Sequence, residues 1–148
     1  MTRREIIDFA AALDGVLTLR PGPGDGTPEI SWGDTFFYYA PDGTVPATAQ
    51  PFATVVTKDY PDDTASRLDR PGAFRVNIAV GKAELARHAA GTDPADDTLI
   101  VHPVHGAAGW LAVANPAGRT AAAVPELLRT AHGLARARHE RRGRSAGA

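Results

Sequence analysis

The sequence predicts an α+β fold, a single domain built on an antiparallel sheet of about five to six strands with the N- and C-terminal helices packed on one face. Three observations lead there. An amphipathic helix opens the chain and another closes it; the β-like segments between them come in consecutive runs separated by Pro- and Gly-rich turns; and helices do not alternate regularly with strands, as a parallel doubly wound sheet requires. The chain of 148 residues has the length of one hydrophobic core. We place the domain at residues 1–138 and an Arg-rich, disordered C-terminal tail at 139–148.

The elements follow in order. Thr2-Arg-Arg-Glu5 fits a capping box, in which the Thr hydroxyl and the Glu carboxylate satisfy each other's backbone donors. Ile6, Phe9, Ala10 and Leu13 then recur at helical spacing, and Gly15 stops the helix. "VLTL" (16–19) is a short strand, and "RPGPGDGTPE" is fixed as a loop by its Pro and Gly. A strand emerges from "ISWGDTFFYYA", and after the turn region "PDGTVPATAQP" the β-branched "FATVVTK" (52–58) is another. The polar, Pro-bracketed "DYPDDTASRLDRPG" is a long connection of the kind that carries function. "AFRVNIAV" (73–80) alternates Phe74, Val76, Ile78 and Val80 against polar or small residues, the pattern of a strand with one buried face. "GKAELARHAAG" is a short helix closed by Gly91, "TLIVHP" and "WLAVANP" are two more strands, and "AAAVPELLRTAHGLARARHERR" is the last helix.

Composition removes several classes of function. A content of 43% hydrophobic and 22% charged residues belongs to a folded globular protein. With no cysteine, disulfides, thiol catalysis and Cys-ligated zinc are excluded. No apolar run reaches the roughly 20 residues that span a bilayer, and the charged N-terminus is unlike a signal peptide, so we expect a cytoplasmic protein without membrane contact. Residues 126–148 carry six Arg against Glu126 and Glu140, a balance of +4; with a whole-chain formal charge of −1, residues 1–125 carry −5. A domain so charged repels phosphate, leaving the Arg-rich tail as the segment that could attract a nucleic acid.

The candidate chemistry centres on "LIVHPVHGAAGW" (99–110). His102 ends a buried strand and His105 enters a Gly-rich turn. Read as extended around Pro103, residues three apart point to opposite faces, so no shared metal ligation is expected and no metal or cofactor is assigned. His102 is the candidate for proton exchange and His105 a solvent-facing bystander. Lys58 and Asp59 leave a strand end beside the long loop and join His102 as candidate catalytic residues. Arg75 and Asn77 share the polar face of their strand, where they could coordinate a carboxylate or phosphate, or simply form an exposed sheet face. Trp32 and Trp110 are the large amphipathic surfaces that would line a pocket. The glycines of "PGPGDG" lead into a strand, which no phosphate loop does, and G-x-S-x-G, H-E-x-x-H and Walker patterns are absent.

"GPGDGTPEISWGDTFFYY", "PFATVVTKDYP", "TASRLDRPGAFRVNIAVG" and "HPVHGAAGWLAVANP" together resemble an actinobacterial family of unknown function. More distantly, the order of parts, from the helix ending at "LDGV" through "FRVNIAVGKAELARH" to "PELLRTAHGLA", is similar to the YjbR/MmcQ-like α+β domains. That resemblance implies a frataxin-like sandwich and DNA binding through wing-like hairpins. Here the hairpin turns "RPGPGDGTPE" and "APDGTVPATAQP" carry one Arg against three acidic residues, a charge that does not suit a duplex.

The expected function is binding of a small molecule, or a small accessory enzyme of bacterial, including secondary, metabolism. The pocket would lie between the sheet and the 59–72 loop. Its lining would be Trp32, Lys58, Asp59, Arg75, Asn77, His102 and Trp110, with Lys58 or Arg75 holding an anionic group. Two alternatives stand beside it: a YjbR-like nucleic-acid module using the Arg-rich last helix, and a homo-oligomeric interaction module, for instance a homodimer, without chemistry.

Overall fold

The computed structural model describes residues 1–45 and 47–147; Pro46, in the "PDGTVPATAQP" turn, and Ala148, at the end of the tail, lie outside them. Helix α1 spans Arg3–Ala11, followed by strands β1 (Val16–Leu19), β2 (Thr35–Tyr39), β3 (Ala53–Val56) and β4 (Arg75–Ala79). Helix α2 (Lys82–His88), strands β5 (Leu99–Val101) and β6 (Trp110–Ala114), and helix α3 (Ala123–Gly147) complete the chain. The six strands form one antiparallel sheet in the order β1-β2-β3-β4-β6-β5. Four strands meander outward, α2 carries the chain past the next position, and β6 returns between β4 and β5. The architecture is the single-domain α+β fold that the sequence predicts.

One face of the sheet makes the main core. Phe37, Val55, Val76, Ile78, Leu111 and Val113 turn toward Ile6 and Ala10 of α1 and Val124, Leu127, Leu128 and Ala131 of α3. The capping box of α1 is formed, with the Thr2 hydroxyl accepting from the Glu5 amide at 3.1 Å and Glu5 accepting from the Thr2 amide at 3.0 Å. The helix stops at Ala12, three residues before Gly15, whose positive φ of 67° starts β1 instead. A β-carbon at Gly15 would come within 2.8 Å of the Tyr39 ring.

Four expectations drawn from local pattern differ from the structure. The segment from Ile30 does not extend directly into a strand: Glu29–Ser31 form a 3-10 turn and β2 begins at Thr35, after Gly33 takes a positive φ of 87°. The strand read as having one buried face is buried on both, because the 59–72 connection folds over Arg75 and Asn77. Residues 102–105 are a turn leading into a second 3-10 segment, Gly106–Ala108. That turn brings His102 and His105 to the same side, their ring centroids 4.8 Å apart, where the extended reading put them on opposite faces. The last helix continues past residue 138, with Arg136 and Glu140 paired at 3.0 Å and His139 edge-on to Tyr39.

Gly109 closes this turn with φ of 90°, and a β-carbon there would fall 2.7 Å from the Gly81 carbonyl carbon. Backbone meets backbone at that point, so no side-chain rotation relieves the overlap. Gly109→Ala is therefore expected to cost about 2 kcal/mol or more in urea unfolding, from the strained φ alone. Gly118→Ala, where the added carbon meets nothing within 4 Å, should stay within about 0.5 kcal/mol of wild type.

Candidate functional site

The second face of the sheet carries the site. Thr54 of β3, Arg75 and Asn77 of β4 and Trp110 of β6 alternate with the core residues and point away from α1 and α3. The 59–72 connection is clasped at its base: the Asp59 carboxylate accepts from the Leu68 amide at 2.8 Å, and Asp69 accepts from the Asp59 amide at 3.0 Å. Leu68, buried against Val56, Ala73 and Ala114, then pins the loop to the sheet.

Arg75 is 1% exposed, which a guanidinium tolerates only when its donors are filled. Asp63, from the loop, accepts from both of its terminal nitrogens, at 2.9 Å from Nη1 and through a second, short bond from Nη2. Nη1 also donates to the Ser66 hydroxyl at 3.1 Å and Nε to Asn77 Oδ1 at 2.8 Å. Asn77 in turn donates to Thr54 at 3.0 Å. The anionic group that Arg75 holds is thus the protein's own Asp63. Burial pushes the Asp63 carboxyl up, but the Arg75 hydrogen bonds and charge outweigh it and hold the group below the ordinary aspartate value.

The remaining Arg75 nitrogen contact is with His102. His102 Nδ1 lies 3.0 Å from the amide nitrogens of both Val104 and His105, so it accepts and carries no proton. The ring hydrogen therefore sits on Nε2, which lies 3.2 Å from Arg75 Nη2 and 3.8 Å from Asp63 Oδ2. Two N–H donors stand side by side, and Asp63 Oδ2, which accepts from Arg75 Nη2, lies beyond hydrogen-bond reach of Nε2. Burial, and next the Arg75 charge, lower the His102 pKa to about 4, so the ring is neutral at physiological pH. Its basic nitrogen is committed to the backbone, and the group it presents is a donor. His105 is exposed, and its ring faces His102 and Trp110 and lines the same cleft.

That cleft has a volume of about 580 Å³, within the range of small-molecule sites. Phe36, Val56, Val104 and Trp110 give it an apolar body, and Thr54, Asp63, Arg75, Asn77, His102 and His105 a polar end. Four of the residues singled out from sequence, Arg75, Asn77, His102 and Trp110, meet here. Trp32, Lys58 and Asp59 do not line it. Lys58 Nζ donates to the Trp32 carbonyl at 2.7 Å and to Asp34 at 3.0 Å. Asp34 is buried and also accepts from the Thr57 amide and hydroxyl and from the Tyr60 hydroxyl. Burial and that Asp34 bond raise the Tyr60 pKa, so Tyr60, which does line the cleft, is a fixed phenol. Lys58 and Asp59 serve the loop's root.

Sequence reasoning missed Asp63, Ser66, Thr54 and Tyr60. The acidic "DYPDDT" is a visible signal, but nothing local pairs one of its three aspartates with an arginine twelve residues on. Among the described residues no group of three or more His, Asp or Glu is placed to hold a metal ion, and the Arg75 charge beside His102 Nε2 repels one.

The fold and cleft define a small α+β domain whose sheet packs helices on one face and, on the other, borders an open cleft lined by sheet, loop and turn residues. The chain belongs to the family of unknown function DUF6194, which matches residues 1–144. No curated protein and no solved structure matches it. Among the described residues no helix is long and apolar enough to cross a membrane.

Two expectations follow from this geometry. A histidine whose folded pKa lies below its unfolded value of 6.5 weakens the fold as pH drops through 6.5, and the loss levels off below about 4. The melting temperature should fall by several degrees across that window, with the Asp63 contribution lost only below the ordinary aspartate value of about 3.9. In His102→Asn the amide oxygen can still accept from Val104 and His105, and a flat melting profile between pH 6.5 and about 5, above the range where carboxylates titrate, is expected; an unchanged slope would assign the effect elsewhere. Asp63→Asn breaks a pair whose side chains are 1% and 10% exposed, and should cost about 3 kcal/mol while opening residues 60–70 to limited proteolysis.

Proposed function

We propose that this domain binds a small molecule in the cleft, gripping an oxygen acceptor of the ligand between His102 Nε2–H and Arg75 Nη2–H. The observation that carries the reading is the pair of donors 3.2 Å apart at the foot of a cavity of about 580 Å³. Among the described residues Nε2–H has no acceptor within hydrogen-bond reach, since Asp63 Oδ2 lies 3.8 Å away, and a ligand oxygen placed beside it would supply one. A neutral carbonyl suits this end better than a free anion, because Asp63 already neutralises Arg75 and Asp62 lines the same cleft. Phe36, Val56 and Trp110 would cover an apolar or aromatic portion. If a bound carbonyl is polarised by the donor pair, the same geometry supports an accessory enzyme. The reading is of a cytoplasmic protein of bacterial metabolism. The YjbR-like resemblance would add nucleic acid as a partner, but this cleft presents two aspartates and the charge of its one arginine is neutralised by Asp63.

A thermal-shift screen of the full chain against carbonyl-bearing aromatic metabolites tests it. A ligand present at 100 times its Kd should raise the melting temperature by roughly 5–10 °C. His102→Asn, which removes the Nε2 donor and keeps the turn, should abolish the shift; full retention of the shift in that variant, or no stabilisation by any such compound, overturns the proposal.

A further inference from the structure

We infer that the cleft continues round the end of the sheet into an anion subsite formed by Arg138 and Arg142, so that its ligand is elongated and carries a phosphate or carboxylate remote from the group held by His102. The inference deepens the binding reading above and rests on it. A second cavity, of about 300 Å³, lies where β2, β4 and β6 end beneath the C-terminal half of α3, and it shares Gln50, Pro51, Ala108 and Trp110 with the first. The two volumes therefore adjoin, with the Trp110 indole bordering both.

The charge at this second site differs from that of the first. No Asp or Glu lines it among the described residues, while Arg138 and Arg142 do. They are four apart on α3 and so share one face. Arg129 is paired with Glu126, and Arg136 with Glu140 and Asp14, whereas Arg138 and Arg142 have no ion pair or hydrogen bond among the described residues. Their helix is held in place here: Tyr39, another lining residue, takes the edges of His132 and His139 at 5.5 and 5.2 Å. Two forked donors on a fixed helix, over neutral walls, recognise a phosphate or carboxylate geometrically. A concave site bounded by Tyr38, Tyr39 and Trp110 favours a group on a small molecule over a nucleic-acid backbone, which needs an open cationic surface.

Nuclear magnetic resonance on the full-length 15N-labelled protein tests it, with sodium phosphate as the probe against sodium chloride of equal ionic strength. Saturable shifts are expected at Gly81, at Ala135 through Arg142 and at the Trp110 indole, with binding tenfold or more weaker in the Arg138→Gln/Arg142→Gln double variant. Both positions are exposed, so the variant should fold; its spectrum checks this. His102→Asn should bind phosphate as wild type does, which separates this inference from the cleft reading. Absence of a saturable shift, equal affinity in the double variant, or a silent Trp110 indole overturns it. A single-stranded oligonucleotide that displaces phosphate and perturbs Arg141 and Arg144 equally also overturns it, in favour of a polyanion surface.

Discussion

Arg75 projects from the middle of the sheet on the side opposite the helices, and a guanidinium cannot be buried there without a carboxylate and several acceptors. Asp63 supplies the carboxylate, and Ser66 and Asn77 the acceptors. Because Asp63 and Ser66 lie in the 59–72 connection, neutralising one charge also folds a loop across two strands. The loop then buries Leu68 and creates a second, smaller apolar cluster with Val56, Ala73 and Ala114. Such a pair adds little net stability compared with an apolar core, but its absence would leave a charge stranded, so it specifies where the loop must lie.

The same guanidinium sets the character of His102. Its charge and the burial of the ring keep the imidazole neutral, while two backbone amides fix the tautomer. A histidine in that state presents hydrogen-bond donation where an exposed one would exchange protons. The turn that delivers those amides depends in turn on Gly109, which packs against the backbone of Gly81 at the start of α2. The site thus draws on β4, the loop, the 102–105 turn and the link between β4 and α2, and none of them forms it alone.

Much of the fold was legible because it is local. The capping box of α1, the alternation of Val76 and Ile78, the apolar stripe of α3 and the turns rich in Pro and Gly each express a short-range steric or hydrogen-bonding preference. Four members of the cleft, Arg75, Asn77, His102 and Trp110, were legible as polar or amphipathic residues on an otherwise apolar framework. Lys58 and Trp32 carried the same chemical signal, yet Lys58 is held by Asp34 and the Trp32 carbonyl, and the Trp32 indole donates to Thr27. A charged residue beside a loop reads identically in sequence whether it meets a ligand or a neighbour. The facing of His105 relative to His102 was misread for a simpler reason: three residues of turn reverse the facing that three residues of strand would give.

The sequence by itself determined the element order, the antiparallel α+β class and which face of β4 joins the main core, since periodicity and turn chemistry act within a few residues. Only the tertiary structure decided that the second face is covered, that Arg75 is satisfied from within and that His102 lies against Arg75 at the border of a cleft. Those outcomes rest on contacts between residues 12 and 27 positions apart, Asp63 with Arg75 and Arg75 with His102. Burial, which raises the cost of each unpaired charge, selects among partners that local pattern leaves equivalent.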